Sequence, residues 1–530
     1  MSIRQQLLDQ IEENADRVFL IDAHTGAPTT YREFHEGACA LGADLQRRGL
    51  SHGDRLGVMV PNCCELAVLY FASFYVGATI VPINPNLSAA DLRFILSSCH
   101  PRLVIASPPL CERVSAAGGR PIPFVTAGAT SGTSGAIDLR ALSISTEFRP
   151  LERSTAEDLI VIVYTSGTTA KPKGLAHRSG RMFRNAQAFA AQQHISRDSR
   201  FYLTLSMAYM GGFYNLLILP FLHGASVVID HVFDARSSLS FWDRASRHQA
   251  NTLWLAPTVM SILLKMDRGH LGEEFCRRSV RQAFVGFAPL PLKLKADFEA
   301  RYGTQVIENY GLSETLFVTA RSGARHPDTG YVGEPIPGIQ LRVVGDDKLS
   351  PPADGEIQIL TPDLMAGYLD DEGHLKEVSA DEWFPTGDCG HVDSAGALFV
   401  TGRKKDLIIR GGVNISPAAI EEVLLHAKGI VDAAVVSIPH ELYGEDIVAV
   451  LKLEAGVELE SILDSVMEHA RGELAVHQQP ARYVAIDDFP RTANGKVQKS
   501  RLRELVMTKL QIGSGSFLGP RTQVPARASD

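Results

Sequence analysis

The sequence predicts a mixed α/β protein, with a large N-terminal domain of layered α/β subdomains plus a small β subdomain, and a small α+β domain behind them. Three observations carry the prediction. Helix-like periods alternate with short β-branched runs over roughly the first 330 residues; Gly- and Pro-punctuated short strands follow at residues 338–344, 355–360 and 397–401; and a fresh α/β alternation starts near Asp406. A chain of 530 residues, 45% of them hydrophobic, is long enough for a large core and for more than one domain.

Taken in order, the opening stretch MSIRQQLLDQIEENADR is charged and has no apolar h-region, so it does not read as a secretory leader. Residues 31–48 have a helical period, and residues 55–60 and 78–83 read as strands, the pattern of parallel α/β layers. Gly77, Pro82 and Pro85 break the uncharged stretch 66–90 into helix, strand and loop. The Gly/Ser/Ala-rich passage 115–135 reads as a solvated loop. Residues 201–229 form the longest uncharged run, but Gly211, Gly212, Asn215, Pro220, His223 and Gly224 interrupt it, so a core helix followed by a strand is expected in place of a membrane span. Past Asp406 come strand-like LIIR, helix-like PAAIEEVLLHA, and the strands VDAAVVSIP and DIVAVLKLE. The tail after Ile512, GSGSFLGPRTQVPARASD, is expected to be disordered.

Lys and Arg number 52 against 60 Asp and Glu, a net charge of -8. That balance offers no footprint for a nucleic acid or an anionic membrane, so an anionic ligand needs a local cluster of donors. The seven cysteines (Cys39, Cys63, Cys64, Cys99, Cys111, Cys276, Cys389) are scattered without CxxC or Cys/His metal spacing, and read as buried thiols of a reducing compartment, the cytoplasm.

The tetrapeptide T-S-G-T occurs twice. At residues 130–133 no continuous β-branched strand precedes it and no lysine follows it, which makes that copy a decoy. At residues 165–168 the buried-strand run LIVIVY leads into it, Gly167 keeps the turn open, and Lys171 and Lys173 follow around Pro172. Hydroxyls, backbone N–H groups and lysines in that order suit phosphate oxygens. The Walker pattern is absent, because Pro172 stands where its second Gly should be.

Four further stretches follow in order: ENYGLSET (308–315), WFPTGDCGHVD (383–393), GRKKDLIIRGGVNISPAAIEE (402–422) and PRTANGKVQK (490–499). With the loop, over roughly residues 30–505, they resemble the acyl-adenylate-forming superfamily of acyl- and aryl-CoA synthetases, carrier-protein adenylation domains and firefly luciferase, and are closest to a carboxylate-CoA ligase. The resemblance implies two steps. A carboxylate joins the α-phosphate of ATP and expels pyrophosphate, and the acyl group then passes to a thiol.

Site roles follow from the same resemblance. Thr165, Ser166, Gly167, Thr168, Thr169 and Lys173 would hold the β- and γ-phosphates, and Ser313 the α-phosphate. Glu314 matches the carboxylate that binds Mg2+ through hard oxygen ligation. Tyr310 would stack on adenine with Asn309, Ala288 and Pro289 beside the ring, while Asp388 and Arg403 take the ribose. Lys496 would stabilise the charge that builds up during adenylation. The C-terminal domain, residues 405–511, would be mobile against residues 1–404 about a hinge at Lys405, with Gly411 and Gly412 lining a pantetheine tunnel.

Departures from the family pattern concern the loop and the acyl side. Ala170 stands where Gly is common, and Ser313 where Thr is common. In LSMAYMGGF (205–213) Tyr209 replaces a common His and Ala208 an aromatic residue, and in GFAPL (286–290) Phe287 stands where a second Gly is frequent. The acyl pocket is expected to involve Tyr209, Phe213, Gly286, Phe287, Gly311, Phe317 and Val318, with Met207 beside them; the added Phe favours a compact or planar acid over a long alkyl chain.

The expected activity is therefore an AMP-forming carboxylate-CoA ligase using ATP, Mg2+ and coenzyme A on a small-molecule carboxylic acid, with a homodimer left open and neither nucleic acid nor integral membrane as partner. An alternative keeps adenylation but passes the acyl group to a separate carrier protein or an amine. A non-catalytic nucleotide-binding module is the reading from a different class, and the presence of Lys496 and Glu314 speaks against it.

Overall fold

The computed structural model describes residues 3–126, 135–143, 148–165, 172–321, 330–345, 354–411, 413–491 and 496–512. Among these, the strands form sheets of thirteen, nine and five strands. The thirteen-stranded sheet has a parallel centre made of Val306–Leu312, Gln282–Val285, Thr252–Leu255, Arg200–Leu203, Ser226–Ile229 and Val18–Asp22. The punctuated strands Gln340–Gly345, Gly355–Leu360, Phe384–Val392 and Leu398–Arg403 form its antiparallel end. They join the centre through Tyr331–Pro335 and Leu316–Ala320, so the expected β subdomain is hydrogen-bonded to the parallel strands.

The nine-stranded sheet carries the buried-strand run as Leu159–Thr165, paired antiparallel with Lys173–Arg178, which in turn pairs with Gly367–Leu369. Its other side is parallel, through Thr79–Pro82, Arg55–Met59 and Leu103–Ala106. Residues 115–135 need correction. The helix Cys111–Ala116 reaches into them, and Pro121–Val125 is a strand parallel to Leu103–Ala106 that buries Phe124 and Val125. Pro121 and Pro123 obscured it, since proline donates no ladder hydrogen bond, and a place near the sheet edge tolerates them.

Helices cover the sheets where the sequence pattern asks for them. Thr30 and Glu33 close a reciprocal capping box at the start of Tyr31–Arg47. The helix Cys64–Val76 is apolar all round and buried from Leu66 onward, which makes it a core helix, and Gly77 ends it at φ 83°. The uncharged run 201–229 resolves into a strand, a π-helical segment Gly211–Ile218, the short helix Leu219–Leu222 and the strand Ser226–Ile229. Among the described residues no helix is long and apolar enough to cross a membrane.

Ile430–His440 and Gly444–Leu453 pair along most of their length and anchor the five-stranded sheet of the C-terminal domain. Helices Pro417–Leu425 and Leu459–Glu473 pack Ile420, Leu424, Leu463 and Val466 onto it, a core of its own apart from that of the N-terminal domain. Polar contacts join the two domains: the Leu292 N–H donates to Glu422 at 3.1 Å, and the Ser416 hydroxyl donates to the Thr401 carbonyl at 2.5 Å.

Candidate active site

The carboxyl ends of parallel strands are where an open α/β sheet offers its crevice. Here Gln282–Val285 and Arg200–Leu203 run out into residues 286–290 and 205–213, while Val306–Leu312 carries Asn309 and Tyr310 beyond its parallel pairing. The Asn309 amide donates to the Val285 carbonyl at 2.7 Å and so ties two of these strand ends together. A Cβ on Gly286 would meet Asn309 Oδ1 at 2.9 Å, so a glycine is needed for that close approach. Ala288 is half-buried and Pro289 exposed beside it.

The predicted ribose pair forms across a ladder. Asp388 and Arg403 are register partners, with Arg403 Nε 2.9 Å from Asp388 Oδ1. The Tyr310 hydroxyl donates to Asp388 Oδ2 at 2.7 Å. Burial, and then the Asp388 charge, push the Tyr310 hydroxyl well above its ordinary pKa and keep it a donor. Both carboxylate oxygens of a buried Asp388 are thereby oriented, each with a lone pair left for a further donor.

Lys496 arrives from the C-terminal domain and feels the charges of Arg403, Asp388, Glu314 and Lys405. Crowding by protein, then repulsion from Arg403, lower its proton affinity, while Asp388 and Glu314 oppose the shift. The residue keeps an exposed surface. Lys405 lies in the short 3-10 turn Lys404–Asp406, between Leu398–Arg403 of the thirteen-stranded sheet and Ile408–Arg410 of the five-stranded one, with its proton affinity also lowered by burial. Gly411 sits at φ 60°, its N–H donating to the Tyr443 carbonyl at 2.9 Å. Gly412 is outside the described residues, as are Ser166, Gly167, Thr168, Thr169, Ala170, Lys171 and both threonines of the upstream copy.

Thr165 ends its strand opposite Lys173, and these two bound the loop predicted to hold phosphates. Ser313 and Glu314 are held against the same hairpin by contacts that sequence reasoning missed. His177 is fully buried, which pushes its pKa down to about 4; a neutral ring then donates from Nε2 to the Ser313 carbonyl at 2.7 Å. The Met365 N–H donates to the Glu314 carbonyl at 2.8 Å, and the Tyr368 hydroxyl donates to Glu314 Oε1 at 2.8 Å. Glu314 is half-buried, and only its Oε1 is engaged by the described residues. One hard carboxylate with an oxygen to offer fits Mg2+, which takes most of its ligands from phosphates and water.

Among the residues predicted for the acyl pocket, Phe287 adopts φ 72°, a conformation that costs a bulky residue about 1–3 kcal/mol. Its ring covers Gly211, where a Cβ would lie 2.9 Å from it, so the two positions are sterically complementary. Gly212 must be glycine because a Cβ would approach the Ser206 carbonyl to 2.3 Å. Asn84, absent from the sequence reading, donates its amide to the Tyr209 hydroxyl at 2.8 Å and leaves that hydroxyl proton for another acceptor. Phe213, Met207 and Val318 are fully buried, and Phe317 stacks on Phe189 at 3.9 Å and on Trp254 at 5.4 Å. These four side chains belong to the packed core beneath the site. Gly311 admits the Leu316 carbonyl, which a Cβ would meet at 2.1 Å.

A cleft of about 370 Å3, lined by Phe94, Ser98, Tyr164, Lys173, Tyr368 and Asp370, opens beside the hairpin that carries Lys173 and touches none of the residues predicted for the acyl pocket. His24, Asp230 and His231 cluster with ligand-like spacing, but the Asp230 carboxylate already holds Arg244 at 3.0 Å and the Tyr202 hydroxyl at 2.6 Å.

The AMP-binding enzyme family model matches residues 7–369, and that of the AMP-binding enzyme C-terminal domain matches residues 419–496. A sulfoacetate-CoA ligase of Cupriavidus necator is 30% identical over 498 residues, covering 92% of this chain and 94% of that protein. An indoleacetate-CoA ligase of Aromatoleum aromaticum is 31% identical over 475 residues, covering 88% and 91%. ATP-bound MatB from Rhodopseudomonas palustris superposes with a TM-score of 0.84 at 26% identity, covering 95% of this chain and 99% of that one.

Proposed function

The chain belongs to the AMP-binding enzyme family, and from that premise we propose that it is an ATP-dependent carboxylate-CoA ligase, which forms an acyl-adenylate and then the acyl thioester of coenzyme A. The observation that carries this reading is the convergence of Lys496, from one domain, with Asp388, Arg403 and Glu314 from the other. A cation at that point faces the oxygens that gain charge when a substrate carboxylate attacks the α-phosphorus and pyrophosphate departs. Asp388, oriented by Tyr310 and Arg403, accepts the ribose hydroxyls, and Tyr310 presents its ring to adenine. Lys173, Thr165 and the loop between them hold the polyphosphate. Glu314 holds Mg2+, which when bound offsets polyphosphate charge.

Residues 1–404 and 405–511 act as the two bodies in this proposal, turning about Lys405 so that Gly411 and Gly412 face the adenylate for the attack of the thiol. All seven cysteines are free, which supports a cytoplasmic setting. ATP-pyrophosphate exchange with a panel of acids, followed by CoA-dependent release of AMP, tests the whole reading. The panel includes sulfoacetate, indoleacetate, benzoate and straight-chain acids. Exchange with one of them and formation of its CoA thioester is the expected result. Absence of exchange with every acid would refute adenylation, and exchange without thioester would favour a carrier protein or amine as acceptor.

Phe287 and the Asn84-oriented Tyr209 support a compact or planar acid. Phe287→Gly opens the space over Gly211 and removes the positive-φ strain of a bulky residue, so it should widen the acid range without unfolding the protein. Each methylene then accommodated is worth about 1 kcal/mol, a gain of roughly fivefold in kcat/KM per carbon until the pocket ends. The series of straight-chain acids, run on both proteins, checks this. An unchanged profile would place Phe287 outside the acyl pocket.

A further inference from the structure

The strand Gly367–Leu369 lies against the exit strand of the phosphate loop, with Tyr368 opposite Leu175 and Gly367 opposite Ala176. Its neighbours grip the segment that bears the metal carboxylate. Met365 N–H holds the Glu314 carbonyl, and His177 holds the Ser313 carbonyl from the adjoining strand. With both carbonyls held, the remaining freedom at Glu314 is in its side chain, and Tyr368 restrains it through the 2.8 Å hydrogen bond to Oε1. The same Tyr368 ring lies beneath the Lys173 ammonium, 5.9 Å from Nζ to the ring centroid. One half-buried aromatic residue therefore bonds the carboxylate and lies within cation–π range of the lysine.

We propose that Tyr368 is a positioning residue that couples the two: its hydroxyl aims the Glu314 carboxylate at the metal, and its ring braces Lys173 against the phosphates. The inference rests on the adenylation reading. A phenol suits the task because it donates a charge-assisted hydrogen bond without cancelling the carboxylate charge, as a lysine there would. Groups that orient a metal ligand typically contribute about 10- to 100-fold in metal affinity.

The test uses the full chain with Tyr368→Phe and Tyr368→Leu. Mn2+ binding to the enzyme-ATP complex, read by electron paramagnetic resonance, should weaken about tenfold in the Phe variant. The Mg2+ concentration for half-maximal ATP-pyrophosphate exchange should rise in step, while the rate at saturating Mg2+ recovers. In a Glu314→Gln background the Phe substitution should add no further loss, because the hydroxyl acts through that carboxylate. Metal-free ATP binding should be unchanged in the Phe variant and weaker by roughly two- to fivefold in the Leu variant, which also loses the ring under Lys173. Unchanged Mn2+ affinity in Tyr368→Phe, an additive loss in Glu314→Gln, or an equal loss of metal-free ATP binding in the Phe variant would overturn the proposal. Failure of wild type to exchange pyrophosphate would instead refute the adenylation reading, and the Mn2+ and ATP binding measurements would still decide the role of Tyr368.

Discussion

Lys496→Ala should slow acyl-adenylate formation by roughly two to three orders of magnitude, the usual consequence of removing one preorganised charge donor from a reacting oxyanion. Thioester formation from supplied acyl-AMP should be spared, because in the proposed second posture the C-terminal domain has turned this lysine away. ATP-pyrophosphate exchange measures the first half-reaction, and CoA thioester formed from synthetic acyl-AMP measures the second. Equal losses in both would remove the two-posture assignment. A pH dependence accompanies the rate. Burial and Arg403 shift the Lys496 ammonium below the ordinary lysine value of 10.5, so its proton is lost at a lower pH than that of a free lysine. The adenylation rate of wild type should therefore fall on the alkaline side earlier than a free lysine would dictate, and Lys496→Ala should lack that limb.

The second large effect is on stability. Lys295 is 1% exposed and places Nζ 3.0 Å from both oxygens of Glu308, itself 7% exposed and immediately before Asn309 and Tyr310. Removing one member of a buried ion pair strands the other, at a cost of about 3–5 kcal/mol. Lys295→Met should therefore lower the thermal transition by several degrees, and weaken ATP binding through the adjacent strand. Burial already holds Glu308 above the ordinary carboxylate range, with Lys295 as the largest opposing influence, so without that lysine the pKa of Glu308 rises further. A carboxyl whose folded pKa exceeds its unfolded value loses stability as pH rises from the unfolded pKa to the folded one. The variant should accordingly be less impaired near pH 5 than near pH 8. Lys295→Met combined with Glu308→Leu removes both charges and should recover most of the loss. Denaturant titrations of the three proteins at both pH values check the series; a double variant as unstable as the single one would show that packing, not the stranded charge, sets the cost.

Much of the candidate site was legible because its motifs are local. The strand Leu159–Thr165 stood out as an unbroken β-branched run, and Asp388 and Arg403 as parts of TGD and GRKKD, which the ladder then places opposite each other. The same local reading misjudged residues 115–135, where two prolines concealed the strand Pro121–Val125. By position alone it grouped Phe213, Phe317 and Val318 with Phe287; the first three are buried in the main core, and Phe287 lies over Gly211.

The sequence by itself determined the α/β alternation, the break at Gly77 and the order of the motifs, because each of these is set by periodicity or backbone preference within a few residues. Tertiary structure decided which side chains meet. Tyr368 reaches Glu314 across 54 positions, Tyr310 reaches Asp388 across 78, and His177 reaches the Ser313 carbonyl across 136. Such meetings depend on how strands distant in the chain come into register and pack, and a one-residue slip in any of them would turn the side chain to the opposite face of its sheet.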